Sequence, residues 1–440
     1  MSWILPALAA AGLAAWIYLL VARGGFWLAR ERLGAAPSPG ASPSQGASPD
    51  RAHWPAVVAV VPARNEADVI GRSIRSLLDQ DYPGRFQIVL VDDHSRDGTA
   101  AVAADTARAH PQGARLTIHR AAPLPAGWVG KIWALRQGLR RADDIAPEVP
   151  FVWLTDADIE HEPTNLRRLV AKAEDENRAL VSLMVLLSCA GFWERLLIPP
   201  FVFFFQKLYP FAWVNDPRRR TAATAGGCVL VRRAALEAAG GLESIRAEII
   251  DDCALARRVK NAGRNTSLWL GLTTEVRSIR PYEGLAGIWS MVARSAYTQL
   301  GHSPWRLAGT VLGMGLVYLA PPLLVLTSPL HADALAGHVA LAGHGALAGH
   351  VALAAALGGL AWLLMAIAFL PTLRLYGQPA WLAPLLPVAA LLYCAMTLDS
   401  ALAHRRGRGG TWKGRIQSNA LRDDGNARGE DGAVRSEAPP

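Results

Sequence analysis

Asp156 and Asp158 follow the apolar run Phe151, Val152, Trp153, Leu154, with only Thr155 between. A run this short and apolar reads as a buried strand of a covered sheet, and its two carboxylates then stand at the strand's carboxyl end. Open α/β sheets bind their ligands at that edge. A second acidic pair, Asp92 and Asp93, closes the run Phe86 to Val91, and a third, Asp251 and Asp252, opens a helical pattern downstream.

Between these pairs the apolar runs alternate with helical patterns. Val57 to Val61, Phe86 to Val91 and Phe151 to Leu154 read as strands; Ala67 to Gln80, Gly98 to His110 and Asn165 to Glu174 read as helices. In the first helix Val69, Ile70, Ile74, Leu77 and Leu78 share one face, as packing on a sheet requires. The expectation is an α/β fold with a mostly parallel sheet covered on both sides.

The rest of the chain is apolar in a different way. Met1 to Leu20 contains no charged residue and is followed by Arg23, Arg30 and Arg32, so it reads as a spanning anchor with its basic flank inside. A cleaved export signal would carry its charges before the apolar core. Gly34 to Pro55, rich in Ala, Ser, Pro and Gly, reads as a flexible tether. Spans are expected at Ala308 to Thr327, within Ala334 to Leu370, and at Ala380 to Leu402. The basic residues Arg405, Arg406, Arg408, Lys413 and Arg415 favour an inside tail, which calls for an even number of later spans. This divides the chain into an anchor (1–22), a tether (34–55), a cytosolic domain (56–306), a region of two to four spans (307–403) and a basic, partly disordered tail (404–440).

Two segments leave room for two readings. Phe192 to Trp213 is crowded with aromatic residues but broken by Glu194, Arg195, Lys207 and the pair Pro199, Pro200. It is either an element resting on the bilayer surface or an aromatic core contact. A repeat places His338, His344 and His350 six residues apart. On an α-helix such steps rotate by roughly 240°, so the imidazoles face different sides and a shared metal is not expected. The net charge of +9 is spread over flanks and tail rather than gathered in one patch, which suits anionic lipid headgroups and not nucleic acid. Cys189, Cys228, Cys253 and Cys394 show neither disulfide nor metal spacing.

The polar segments at the strand ends carry a resemblance. Pro62, Ala63, Arg64, Asn65, Glu66 is similar to the Pro-x-x-Asn-Glu turn of family 2 glycosyltransferases, and Val91 to Thr99 (Val-Asp-Asp-His-Ser-Arg-Asp-Gly-Thr) resembles their long nucleotide-binding loop. Gly127, Trp128, Val129, Gly130, Lys131 is similar to a Gly-Lys turn beside the nucleotide, and its tryptophan form resembles the hopanoid-associated branch. Asp251 to Arg258 resembles the Glu-Asp-x-x-Leu-x-x-Arg element, with Asp251 in place of the usual Glu, and Gly226, Gly227, Cys228 look like the acceptor-side turn. The resemblance implies a GT-A type domain of the bacterial inner membrane. It implies a nucleotide-sugar donor, a uridine diphosphate sugar by preference, held by Pro62, Arg64, Asn65, Glu66, Asp92, Asp93, Lys131, Asp156 and Arg294.

Physical chemistry assigns the acidic pairs their work within that resemblance. A diphosphate leaving group needs a hard divalent cation, Mg²⁺ or Mn²⁺, and Asp156 and Asp158 supply hard oxygen ligands. An acceptor hydroxyl needs a carboxylate to take its proton, and Asp252, with Asp251 beside it, lies on the family's base position. Favourable charge at a helix amino end is the plain structural alternative for that pair, as a solvated surface lysine is for Lys131 and a membrane-interface arginine for Arg294. The Gln-x-x-Arg-Trp element of processive members is missing from Met291 to Gln299, so single transfer to a lipid is expected, and Trp412, Lys413, Gly414, Arg415 resembles a tail of membrane-bound lipid glycosyltransferases. A hopanoid or related isoprenoid acceptor is the expectation. Polyprenyl phosphate, ceramide-like lipid and carotenoid acceptors are rivals, as is a catalytically silent nucleotide-binding scaffold.

Overall fold

Strand formation follows the β-branched and aromatic runs, and each strand in the middle of the sheet is sealed on both faces. The computed structural model describes residues 3–33, 53–263, 266–336, 344–407, 411–412 and 415–416. Within these, Val57–Ala63 (β1), Phe86–Asp92 (β2), Leu116–Arg120 (β3), Phe151–Thr155 (β4), Ile159–His161 (β5), Leu180–Leu186 (β6), Cys228–Arg232 (β7) and Leu268–Ser278 (β8) form one sheet in the order β3-β2-β1-β4-β7-β6-β8-β5. All seven residues of β1 and all five of β4 are buried. The pairs β1 with β2, β1 with β4, β2 with β3 and β6 with β8 are parallel. Those of β4 with β7, β6 with β7 and β5 with β8 are antiparallel. The α/β class and the mostly parallel sheet expected from the sequence are therefore observed, with the antiparallel pairs gathered at one side.

The helices close the two faces. Ala67–Leu78 buries Val69, Ile70, Ile74, Leu77 and Leu78, the face expected from its periodicity. Each such side chain contributes about 1.5–3 kcal/mol when fully buried, and a charge at Ile74, which is 0% exposed, would break the contact. Gly130–Ile145 lies so close on the sheet that a Cβ at Gly138 would stand 2.3 Å from Val60 Cγ1 and 2.8 Å from Val91 Cγ2. Only glycine allows that approach. Because β1, β2 and β4 run parallel, their carboxyl ends bring Ala63, Asp92 and Thr155 to one edge.

Contacts within the chain separate two units. The sheet unit comprises Glu31–Leu187, Trp213–Arg280 and Ala403–Pro440; the second comprises Met1–Arg30, Ser188–Ala212 and Pro281–Leu402. The boundary differs from an unbroken domain over 56–306, because Ser188–Ala212 and the segment from Pro281 group with the apolar helices. The physical reason is the helix Phe192–Leu208, which buries Leu197, Ile198, Val202 and Phe203. Phe203 packs at 5.3 Å on Phe26 and 5.4 Å on Phe369, ring centre to ring centre. Phe203 thus makes an aromatic core contact within this unit, while Phe192 on the same helix is 70% exposed.

Among the described residues, four helices are long and apolar enough to cross a membrane: Ile4–Ala22, Pro304–Pro329, Ala348–Leu375 and Ala380–Arg405. Their outward side chains are apolar too, among them Leu312, Leu326, Leu363 and Leu391, as a lipid surround requires. Three of the four follow β8 in the chain. Most of the tether, His338, Lys413, Gly414 and the tail beyond Ile416 lie outside the described residues. His350 meets the ring of Trp3 edge-on at 4.0 Å. Thr411–Trp412 and Arg415–Ile416 pair antiparallel.

Candidate active site

The nucleotide-side loops are locked to each other before any ligand is considered. Asn65, at the end of β1, adopts φ +52°, a left-handed conformation that asparagine tolerates. Its side-chain oxygen accepts the Arg96 N–H at 2.9 Å, and its own N–H donates to Ser95 Oγ at 3.0 Å. The N–H of Glu66 donates to Thr99 Oγ1 at 2.8 Å, and that of Ala67 to Asp97 at 3.0 Å. Asp92 accepts the Ser95 N–H at 3.2 Å. Arg64 Nη1 donates to the backbone oxygen of Asp93 at 2.6 Å and stands 3.6 Å from its carboxylate. Asp93 is 1% exposed. The turn 62–66 and the loop 91–99 thus form one rigid rim.

Asp156 and Asp158, after the end of β4, have different partners. Asp156 Oδ1 lies 2.8 Å from Lys131 Nζ, which also stands 3.5 Å from Asp251 Oδ2. Asp158 Oδ2 faces Arg280 Nε at 3.3 Å and accepts Ser278 Oγ at 3.4 Å. Arg280 also pairs with Glu66, so it joins the metal-type aspartate to the first turn. Burial opposes the charge on Lys131, but the carboxylates of Asp156, Asp251 and Asp252 outweigh it and raise its pKa above the ordinary lysine value. A surface lysine would not be placed so.

Asp252 begins the helix Asp251–Asn261. One oxygen accepts the Gly226 N–H at 3.1 Å, the other its neighbour's Cys253 N–H at 2.7 Å, and its backbone oxygen accepts Thr224 Oγ1 at 2.8 Å. Burial, then the charge of Asp251, push its pKa above the usual carboxylate range against the pull of Lys131. That is the environment of a carboxylate suited to accept a proton near neutral pH. Lys131, Asp156, Gly226, Asp251 and Asp252 line one recess, floored by Leu154 and Leu255.

Residues 58–240 match the family Glycosyl transferase family 2. That segment is similar to glycosyltransferase domains. A curated relative, the beta-monoglucosyldiacylglycerol synthase of Synechocystis sp., is 34% identical over 118 residues, and the match spans 27% of this chain but only 22% of that protein. Among solved structures, a mannosyltransferase from Pyrobaculum calidifontis in complex with GDP-Man and Mn²⁺ is 20% identical with a TM-score of 0.49, covering 80% of this chain and 97% of its own. The glucosyl-3-phosphoglycerate synthase of M. tuberculosis is 18% identical with a TM-score of 0.36, over 56% of this chain and 80% of its own.

The sheet unit carries Pro62, Arg64, Asn65, Glu66, Asp92, Asp93, Lys131, Asp156, Asp158, Asp251 and Asp252 on loops at the carboxyl edge of the sheet and at the starts of the helices Gly130–Ile145 and Asp251–Asn261. Arg294 is different. It follows the helix Gly284–Ala293 in the other unit, its N–H bonded to Ser290 O at 3.1 Å, and is not among the residues the sheet unit assembles. Arg280 and Thr224 are site residues that the sequence reading missed. Arg280 follows β8 and is 122 residues from Asp158, so no local motif announces it. Asp156 and Asp158, 34% and 21% exposed at a strand end, are hard oxygen donors of the kind a divalent cation takes, but among the described residues no group of three or more His, Cys, Asp or Glu is placed to hold a metal ion.

Proposed function

We propose that the chain is a membrane-bound inverting glycosyltransferase. It moves a sugar from a nucleotide-diphosphate donor, a uridine diphosphate sugar by preference, to a lipid hydroxyl, with the sheet unit in the bacterial cytosol. The observation that carries this reading is the Lys131 ammonium shared by Asp156 and Asp251, with Asp252 in the same recess. It supports a leaving-group site and a proton acceptor side by side. The four apolar helices and the likeness to the Synechocystis beta-monoglucosyldiacylglycerol synthase support a lipid as acceptor. A hopanoid or related isoprenoid is the acceptor suggested by the tryptophan-containing turn Gly127 to Lys131.

In this mechanism the rim of Asn65, Asp92 and Asp93 holds the nucleoside, and Lys131 sets a positive charge against the diphosphate. Asp156 and Asp158 would hold Mg²⁺ or Mn²⁺, which stabilises the charge that develops on the leaving diphosphate. Asp252 takes the proton from the acceptor hydroxyl as its oxygen forms the new bond to the anomeric carbon. Attack opposite the leaving group inverts that carbon. Gly226 N–H orients the Asp252 carboxylate, and the aliphatic floor of the recess keeps water from competing.

The test is transfer by the purified protein in detergent, using a panel of nucleotide sugars, Mn²⁺ and a lipid extract. Labelled lipid with a single donor is the expected result. Tight nucleotide binding without turnover for every donor would replace this reading with the scaffold.

A further inference from the structure

Beneath the acidic residues runs a buried polar chain whose every proton can be placed. Thr155 Oγ1 lies 2.8 Å from the backbone oxygen of Gly227 and 2.9 Å from His161 Nε2. A carbonyl can only accept, so the single hydroxyl proton goes to Gly227, and Thr155 must accept from His161. That fixes His161 as the Nε2–H tautomer and leaves Nδ1 an acceptor. Asn165 Nδ2 stands 3.2 Å from it and donates. Burial pushes the His161 pKa down to about 3, so the ring stays neutral.

The chain therefore runs one way, from Asn165 through His161 and Thr155 to Gly227, and all three side chains are at most 3% exposed. Its two ends are telling. Thr155 is the residue before Asp156, and Gly227 follows Gly226, whose N–H holds Asp252. Gly227 itself is wedged against Val185 and Ile159, with room for a Cβ only at 3.1 and 3.3 Å. The His161 backbone N–H adds a bond to Ser76 Oγ at 3.1 Å, and Trp153 packs edge-on to the ring at 4.6 Å.

We infer that Thr155, His161 and Asn165 are positioning residues that set the distance between the metal-type pair and the base, so that donor and acceptor chemistry are held in register by one buried hydrogen-bonded chain. This rests on the functional reading above, which gives Asp156 and Asp252 their roles. A chain of this kind is satisfied only when complete, because removing one member strands a buried donor and a buried acceptor.

The experiment compares wild type, Thr155→Val and Thr155→Ser in detergent. Thr155→Val keeps the volume but removes both bonds, and kcat is expected to fall at least about tenfold while nucleotide affinity stays within about twofold. The low-pH limb of the rate is expected to move upward, because a loosened Gly226 N–H no longer favours ionised Asp252. Thr155→Ser restores the hydroxyl and is expected to return both toward wild type. Should Thr155→Val fail to fold, Asn165→Ala interrupts the far end and reads the same limb. A wild-type rate and unchanged limb in these variants would overturn the inference.

A second readout does not depend on turnover. In ¹⁵N-histidine spectra, assigned with His161→Gln, the ring is expected as neutral Nε2–H down to about pH 4. An Nδ1–H tautomer, or titration near the ordinary histidine value, would overturn the chain even in an active enzyme. Absence of transfer by wild type with the expected tautomer present would instead fault the functional reading alone.

Discussion

Lys131 Nζ lies 2.8 Å from Asp156 Oδ1, at the end of β4, and the contact joins a strand terminus to the first turn of the helix Gly130–Ile145. The same ammonium reaches Asp251, so three carboxylates, with Asp252, depend on one cation. Lys131→Met is expected to weaken nucleotide binding at least about tenfold, since the diphosphate would meet acidic side chains without their counter-charge. Titration with a nucleotide diphosphate checks it; unchanged affinity would show that the lysine serves the acidic residues only.

Gly226 is placed where a side chain would press on the machinery. A Cβ there would stand 3.3 Å from Lys131 Nζ and 3.5 Å from Asp252 Oδ2. Gly226→Ala is expected to lower kcat about tenfold or more by displacing the base, with thermal stability nearly unchanged. A rate equal to wild type would mean that Asp252 need not sit against this turn.

The pH dependence follows from the sign of the Asp252 shift. Its folded pKa is raised by burial and by Asp251, so the group binds its proton more tightly in the folded chain than in the unfolded one. Stability contributed by the protonated form is present at low pH and is lost as pH rises through the folded pKa. The rate runs the other way, rising with pH as the carboxylate ionises, with a limb above the usual carboxylate value of about 3.9. A pH–rate profile in the presence of saturating donor checks it. A limb at the ordinary carboxylate value would place the base in water.

Arg280 bridges Glu66 and Asp158. Arg280→Met should leave Asp158 less fixed, and the Mn²⁺ concentration for half-maximal activity is expected to rise about threefold or more. Transfer should also stop on chelation and return on adding Mn²⁺. Activity that survives chelation would remove the metal from the account.

Much of this was legible from local pattern. β1, β2, β4 and the helix Ala67–Leu78 follow their apolar periodicity, because each is sealed on both faces or on one stripe. The reading was silent on β6, β7 and β8, although Leu180 to Leu186 is as apolar as β4. Their place depends on β7 inserting antiparallel between β4 and β6, a long-range pairing that no local periodicity encodes. The acidic pairs were visible as sequence, but the bonds that make them a site were not: Lys131 reaches Asp251 across 120 residues, and Gly226 finds Asp252 only once the helix Asp251–Asn261 has docked. The grouping of Phe192 to Trp213 with the apolar helices is not legible locally, because the stretch looks like any aromatic one until Phe203 meets its partners Phe26 and Phe369.

The most direct test is transfer by Asp252→Asn beside wild type, with Mn²⁺ and a panel of nucleotide sugars. The asparagine keeps size and can still accept the Gly226 N–H, but cannot take a proton. The account predicts a loss of about 10²–10⁴-fold in kcat, the usual worth of a general base, with donor binding intact. Transfer by Asp252→Asn at the wild-type rate would contradict it, because no other carboxylate in the recess is held by that N–H.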